Sequence, residues 1–139
     1  MLAMPPIDRS LASIRFSGKG LESDEVPKML GGAFSGKPEL RQTYKRVGKK
    51  GVWSLTFEES DETELENKLQ FLLDQLTDDI SIWKTLTAKY RADIFCGLFL
   101  DGWNCGFSLS ARLVKEIADR SLEIGFDIYS PTNTWEDGT

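Results

Sequence analysis

Apolar and polar residues alternate along several stretches of the chain with the period of a strand that buries one face. Ala12, Ile14 and Phe16 alternate with Ser13, Arg15 and Ser17. Residues 42–47 and 52–57 flank Gly48-Lys49-Lys50-Gly51 as the arms of a β-hairpin, with Trp53, Leu55 and Phe57 on one side and Val52, Ser54 and Thr56 on the other. Ile94, Cys96, Leu98 and Leu100 oppose Phe95, Gly97, Phe99 and Asp101. Both of those faces are largely apolar, as in a strand covered on both sides, or covered on one and offered to a partner on the other. In the last alternation Leu122, Ile124, Phe126 and Ile128 are expected to face the core, and Glu123, Gly125, Asp127 and Tyr129 to face away, before Pro131 ends the strand.

Between these runs the period lengthens to that of helices. Ser23 is placed to cap a short helix with Asp24 and Glu25 in its first turn, Met29 and Leu30 facing inward and Gly31 as its stop. Asp61 and Glu64 have capping-box spacing ahead of a stripe formed by Leu65, Leu69, Leu72, Leu73 and Leu76, with Glu64, Glu66, Lys68 and Asp74 at polar positions. Thr77-Asp78-Asp79 breaks that helix and caps another carrying Ile80, Trp83, Leu86 and Tyr90. Asp101-Gly102 signals a turn, after which 104–109 is expected to return as a short antiparallel piece. That turn sets Leu98 opposite Phe107 and leaves Cys96 and Cys105 out of register, so core packing accounts for both thiols better than a disulfide. Ser110 then caps a helix, with Leu109 and Val114 as a staple and Leu113, Val114 and Ile117 as its buried face.

These elements describe one α+β domain over residues 10–130, with a mainly antiparallel or mixed sheet and its helices on one face. The order resembles the ferredoxin-like βαββαβ string with an added αβ unit. Residues 1–9 read as a flexible arm around Pro5 and Pro6, and 131–139 as a polar tail in which Trp135 is the aromatic to watch.

Composition narrows the chemistry. The 139 residues hold no histidine and only two cysteines, which removes the commonest general base, the Ser-His and Cys-His nucleophile pairs, and any zinc spacing. The net charge of −5 repels a phosphate backbone and makes nucleic acid an unlikely partner. Gly31-Gly32 and Gly36-Lys37 fit neither a P-loop nor a dinucleotide fingerprint, and Asp78-Asp79 is explained by a helix N-terminus. No catalytic residue, metal or cofactor is assigned. The first ten residues, MLAMPPIDRS, lack a basic start and an apolar centre, and no run is long enough to cross a bilayer, so the expected setting is the cytoplasm with no membrane partner.

Two surfaces stand out. The first is the face opposite the core, carrying Arg15, Phe95, Phe99, Asp101, Asp127 and Tyr129, with Gly97 and Gly125 permitting close approach. Asp127 there is expected to be solvated or to pair with Arg15 if nothing binds. The second is the hairpin cluster Arg41, Lys45, Arg46, Lys49 and Lys50. It reads first as a charged edge that blocks sheet-to-sheet aggregation and second as a docking patch for an acidic partner or a nucleic acid.

The tract Asn104-x-Gly106-Phe107-x-Leu109-Ser110, an amphipathic helix and then Phe126-Asp127-Ile128-Tyr129 resemble the bacterial domain-of-unknown-function family 4279. The short acidic-start helix ending Leu30-Gly31, the Lys37-Pro38 loop, a strand with Trp53 and the leucine helix precede them in the same order. The resemblance implies a compact α+β domain and assigns no reaction, cofactor or ligand. The residues themselves favour a protein-interaction module, an adaptor or an immunity-type inhibitor, engaging a protein partner or a second copy. The alternatives are a small-ligand sensor or an enzyme using Asp101 and Asp127 as paired carboxylates, and then weak nucleic-acid binding through the hairpin.

Overall fold

The computed structural model of the protein describes residues 9–32, 37–57, 64–100 and 106–129. In chain order the elements are β1 (Arg9–Lys19), α1 (Glu25–Leu30), β2 (Leu40–Val47), β3 (Lys50–Phe57), α2 (Leu65–Asp74), α3 (Ile80–Lys89), β4 (Arg91–Phe99), α4 (Ala111–Asp119) and β5 (Glu123–Tyr129). The strands form one mixed sheet in the order β2-β3-β1-β4-β5. All neighbours are antiparallel except β4 and β5, which run parallel with α4 as their crossover. The chain is therefore a single α+β domain.

β1 holds the centre, paired with β3 on one side and β4 on the other. Ala12, Ile14 and Phe16 are fully buried and align with Leu55 and Trp53 of β3 and with Cys96 and Ile94 of β4. Leu69, Leu72 and Leu73 of α2, Trp83 and Leu86 of α3, and Leu113 and Ile117 of α4 complete the same core. Among the described residues both buried indoles have acceptors: Trp53 Nε1 donates to Gln42 Oε1 at 2.6 Å and Trp83 Nε1 to the Thr77 carbonyl at 2.7 Å. Of the expected caps, Asp79 and Ser110 accept from the amides of Ser81 and Leu113. Ser23 does not cap α1, whose N-cap is Asp24 without a side-chain bond, and Asp61 lies outside the described residues.

Some expectations are corrected. Lys68, placed among the polar positions of the leucine helix, is only 4% exposed, and its ammonium reaches from α2 to the Ser10 carbonyl of β1 at 2.7 Å and the Ser10 hydroxyl at 3.1 Å. Its long stem lets the charge leave the leucine stripe and find acceptors on β1. Val114 is 48% exposed, since only the Leu113–Ile117 spacing of α4 meets the sheet. Residues 106–110 form no strand, and Leu98 stands between Ser10 and Ile128 instead of opposite Phe107. Cys96 is a buried free thiol, and Cys105 lies outside the described residues.

Two close fits generate stability predictions. A Cβ on Gly51 would lie 2.2 Å from the Leu21 carbonyl oxygen, which accepts the Tyr44 hydroxyl at 2.7 Å. Gly51→Ala is expected to cost about 1–3 kcal/mol through this backbone clash, read as a lower midpoint in urea; an unchanged midpoint contradicts it. The second is the cluster in which Tyr90 Oη and Lys89 Nζ donate to Glu25 at 2.6 and 2.9 Å, tying α1 to the end of α3. Burial is the largest single effect on the Glu25 carboxyl and raises its pKa, but these hydrogen bonds together bring it below the usual carboxylate value. The stabilisation is present above the unfolded pKa and is lost as pH falls through the lower folded one. Glu25→Gln should thus flatten the acid limb of the Tm–pH curve, and an unaltered limb would rule the cluster out.

Candidate functional site

Every buried aliphatic face of the sheet meets the helices, so the opposite parity of each strand forms a second face with no described helix on it. Register fixes its layout in rows. Lys45, Val52, Ser17 and Arg91 share one row, and Thr43, Ser54, Arg15, Asp93 and Glu123 the next. Arg41, Thr56, Ser13, Phe95 and Gly125 follow, then Leu11, Gly97 and Asp127, and finally Arg9, Phe99 and Tyr129.

The middle of this face is held by Arg15. Its Nε and Nη2 donate to the two carboxylate oxygens of Asp93 at 2.8 and 2.7 Å, a bidentate fork, while its guanidinium carbon lies 4.7 Å from the centre of the Phe95 ring. The hydrogen bond to Asp93 raises the Arg15 pKa further, so its charge is permanent. Beside it the Ser13 and Thr56 hydroxyls meet at 2.7 Å, satisfying each other where the strands are most buried.

The aromatic end is built from Phe99 and Tyr129, whose rings stack 4.8 Å apart at 11°, with the Arg9 guanidinium carbon 4.4 Å from the Phe99 centroid. The Tyr129 hydroxyl donates to Asp127, and that bond raises the Tyr129 pKa. At the other end Arg15, Ser17, Lys50, Val52, Arg91 and Asp93 line an open depression of about 290 Å³. Its cations outnumber its carboxylates, although the whole chain carries a charge of −5.

Of the residues expected on the outer face, Arg15, Phe95, Phe99, Asp127 and Tyr129 do share it, while Asp101 lies outside the described residues. Arg15 pairs with Asp93, its cross-strand neighbour, and not with Asp127, which is the acceptor for Tyr129. The hairpin cluster divides. Arg41, Lys45 and Lys50 fall on the outer face and merge with the first surface; Lys49 sits in the turn; Arg46 points to the helix side, 3.9 Å from Glu22. The sequence reading missed Asp93 and Arg91, although both precede Phe95 at the same parity.

The polar groups in the middle of the outer face are engaged with one another. The carboxylate nearest its centre, Asp93, is occupied by Arg15. The thiol of Cys96 points into the core, and burial pushes its pKa up to about 12, away from nucleophilic use. Among the described residues no group of carboxylates and thiols is arranged to hold a metal ion. Among them too, no helix is long and apolar enough to cross a membrane.

An α+β domain with one sheet face packed by helices and the other bearing ordered arginines, hydroxyls and aromatics is the class that fold and site define. The chain belongs to the family described as "Domain of unknown function (DUF4279)", whose model matches residues 8–131. No curated protein and no solved structure matches it.

The Arg15–Asp93 fork yields a direct test. A double-mutant cycle with Arg15→Met and Asp93→Asn should give a favourable coupling of about 1 kcal/mol, since Arg15 is partly exposed and solvent screens the pair. A coupling of zero would mean that the fork does not organise the face.

Proposed function

We propose that the protein is a non-catalytic interaction module, an adaptor or an immunity-type inhibitor, and that its outer sheet face, on which no described helix packs, binds an acidic polypeptide partner. One observation carries this reading: the outer parity of an acidic chain gathers Arg9, Arg15, Arg41, Lys45, Lys50 and Arg91 against Asp93, Glu123 and Asp127. A cationic face on an anionic protein attracts an acidic segment and orients it while the rest of the surface repels it. Phe95, Phe99 and Tyr129 add apolar anchors of the type enriched at interfaces, already held by stacking and cation–π contacts. Pre-ordered side chains lose little entropy on binding, which favours recognition by this face.

A small anion is the second reading, favoured by the depression between Arg15, Lys50 and Arg91. Nucleic acid ranks below both, because the net charge of −5 opposes a long phosphate chain.

Native mass spectrometry of the protein purified from its own source separates these readings: a stoichiometric second protein supports the module, and a retained low-mass species supports the anion. With a captured partner in hand, Lys50→Glu combined with Arg91→Glu is expected to weaken binding at least ~10-fold and to reduce its salt dependence. Val114→Ser, on the helix side, should leave affinity unchanged. Equal affinity of the double variant and the wild type would refute the assignment of this face.

A further inference from the structure

The sheet has two edges, and they are built differently. β2 carries Arg41, Lys45 and Arg46, the charged dressing that keeps an edge from pairing with another chain. β5 carries no cation between Glu123 and Tyr129. Phe126 and Ile128, expected in the core, lie on the helix side but are 40% and 59% exposed, because β5 is the last described strand and α4 covers little of it. The Phe107 ring, 40% exposed, sits 5.3 Å from that of Phe126 and extends the apolar stripe.

Backbone direction shows which groups the edge offers. The Leu100 amide donates to the Tyr129 carbonyl at 3.0 Å, so the Tyr129 polar groups point toward β4. Alternation gives the same direction to Glu123, Gly125 and Asp127, and leaves the N–H and C=O of Ile124, Phe126 and Ile128 on the outer edge, where no described strand meets them.

We infer that β5 pairs antiparallel with β5 of a second copy, with Phe126 on the twofold axis. Charge and register select this occupant and this alignment. An axis through Gly125 sets Glu123 against Asp127 of the other copy, and an axis through Asp127 sets that carboxylate against itself; like charges directly opposite are destabilising. An axis between residues joins an edge-facing backbone group to one that faces inward and makes no ladder. An axis through Phe126 overlaps the whole strand. Phe126 meets Phe126 and Ile124 meets Ile128 as hydrogen-bonded pairs, while Tyr129 falls opposite Glu123 and Asp127 opposite Gly125. β5 is thus self-complementary over its full length in this one register, as an isologous interface requires. The charged β2 edge ends the assembly at two copies, and the two outer faces become one continuous surface.

Because residue 126 faces its own symmetry mate, charge substitution there tests both the edge and the register. The full chain should sediment at twice its 15.7 kDa mass. Phe126→Glu and Phe126→Lys, each with the far-UV circular dichroism of the wild type, should each sediment as monomers. Mixing the two should restore the dimer. Ile128→Pro, which removes an edge-facing donor, should also give a folded monomer. A wild-type monomer at millimolar concentration overturns the proposal, as does a dimer that survives the single charge variants. Failure of the Glu and Lys variants to recombine excludes the Phe126 axis, and a wild type found only with a different protein on β5 assigns the edge to that partner instead.

Discussion

The architecture depends on the strict two-residue period of β1. With Ala12, Ile14 and Phe16 sealed against the helices, the residues between them are committed to the opposite face. A one-residue slip would bury Arg15 in the core, so the register with β3 and β4 is strongly specified. The same commitment makes Arg15 the organiser of the outer face. Its neighbour across the ladder is Asp93, and the ring beside it is Phe95. The core and the candidate site are two consequences of one alternation.

Much of this was legible from residue patterns, because single alternations and leucine stripes report local geometry. The outer set Arg15, Phe95, Phe99, Asp127 and Tyr129 followed from parity alone. What parity does not carry is adjacency. Asp93 became the partner of Arg15 because β1 and β4 align at those positions, a long-range fact that no local window contains. Phe126 and Ile128 were misread for a related reason: an apolar strand facing a helix layer looks the same in sequence whether it lies inside the sheet or at its edge. Lys68 shows the complementary failure, in which a charge at a buried position was hidden by the reach of its own side chain.

Membership of the DUF4279 family fits this reading of the fold without adding a reaction. The physical content lies in the contrast between the two halves of the molecule. The helix side is a conventional apolar core, whereas the outer side spends polar and aromatic residues on mutual order, with Ser13 bonded to Thr56, Arg15 to Asp93 and Tyr129 to Asp127. Side chains held in that way form a fixed pattern on the outer face.

Side-chain footprinting of the protein with its captured partner tests the central claim most directly. Labelling by a short-lived carbene, read residue by residue, should fall at Val52, Phe95, Phe99 and Tyr129 when the partner binds, and stay constant at Met29 and Val114 on the helix side. Protection confined to the helix side, with the outer face labelled as in the free protein, would contradict the account.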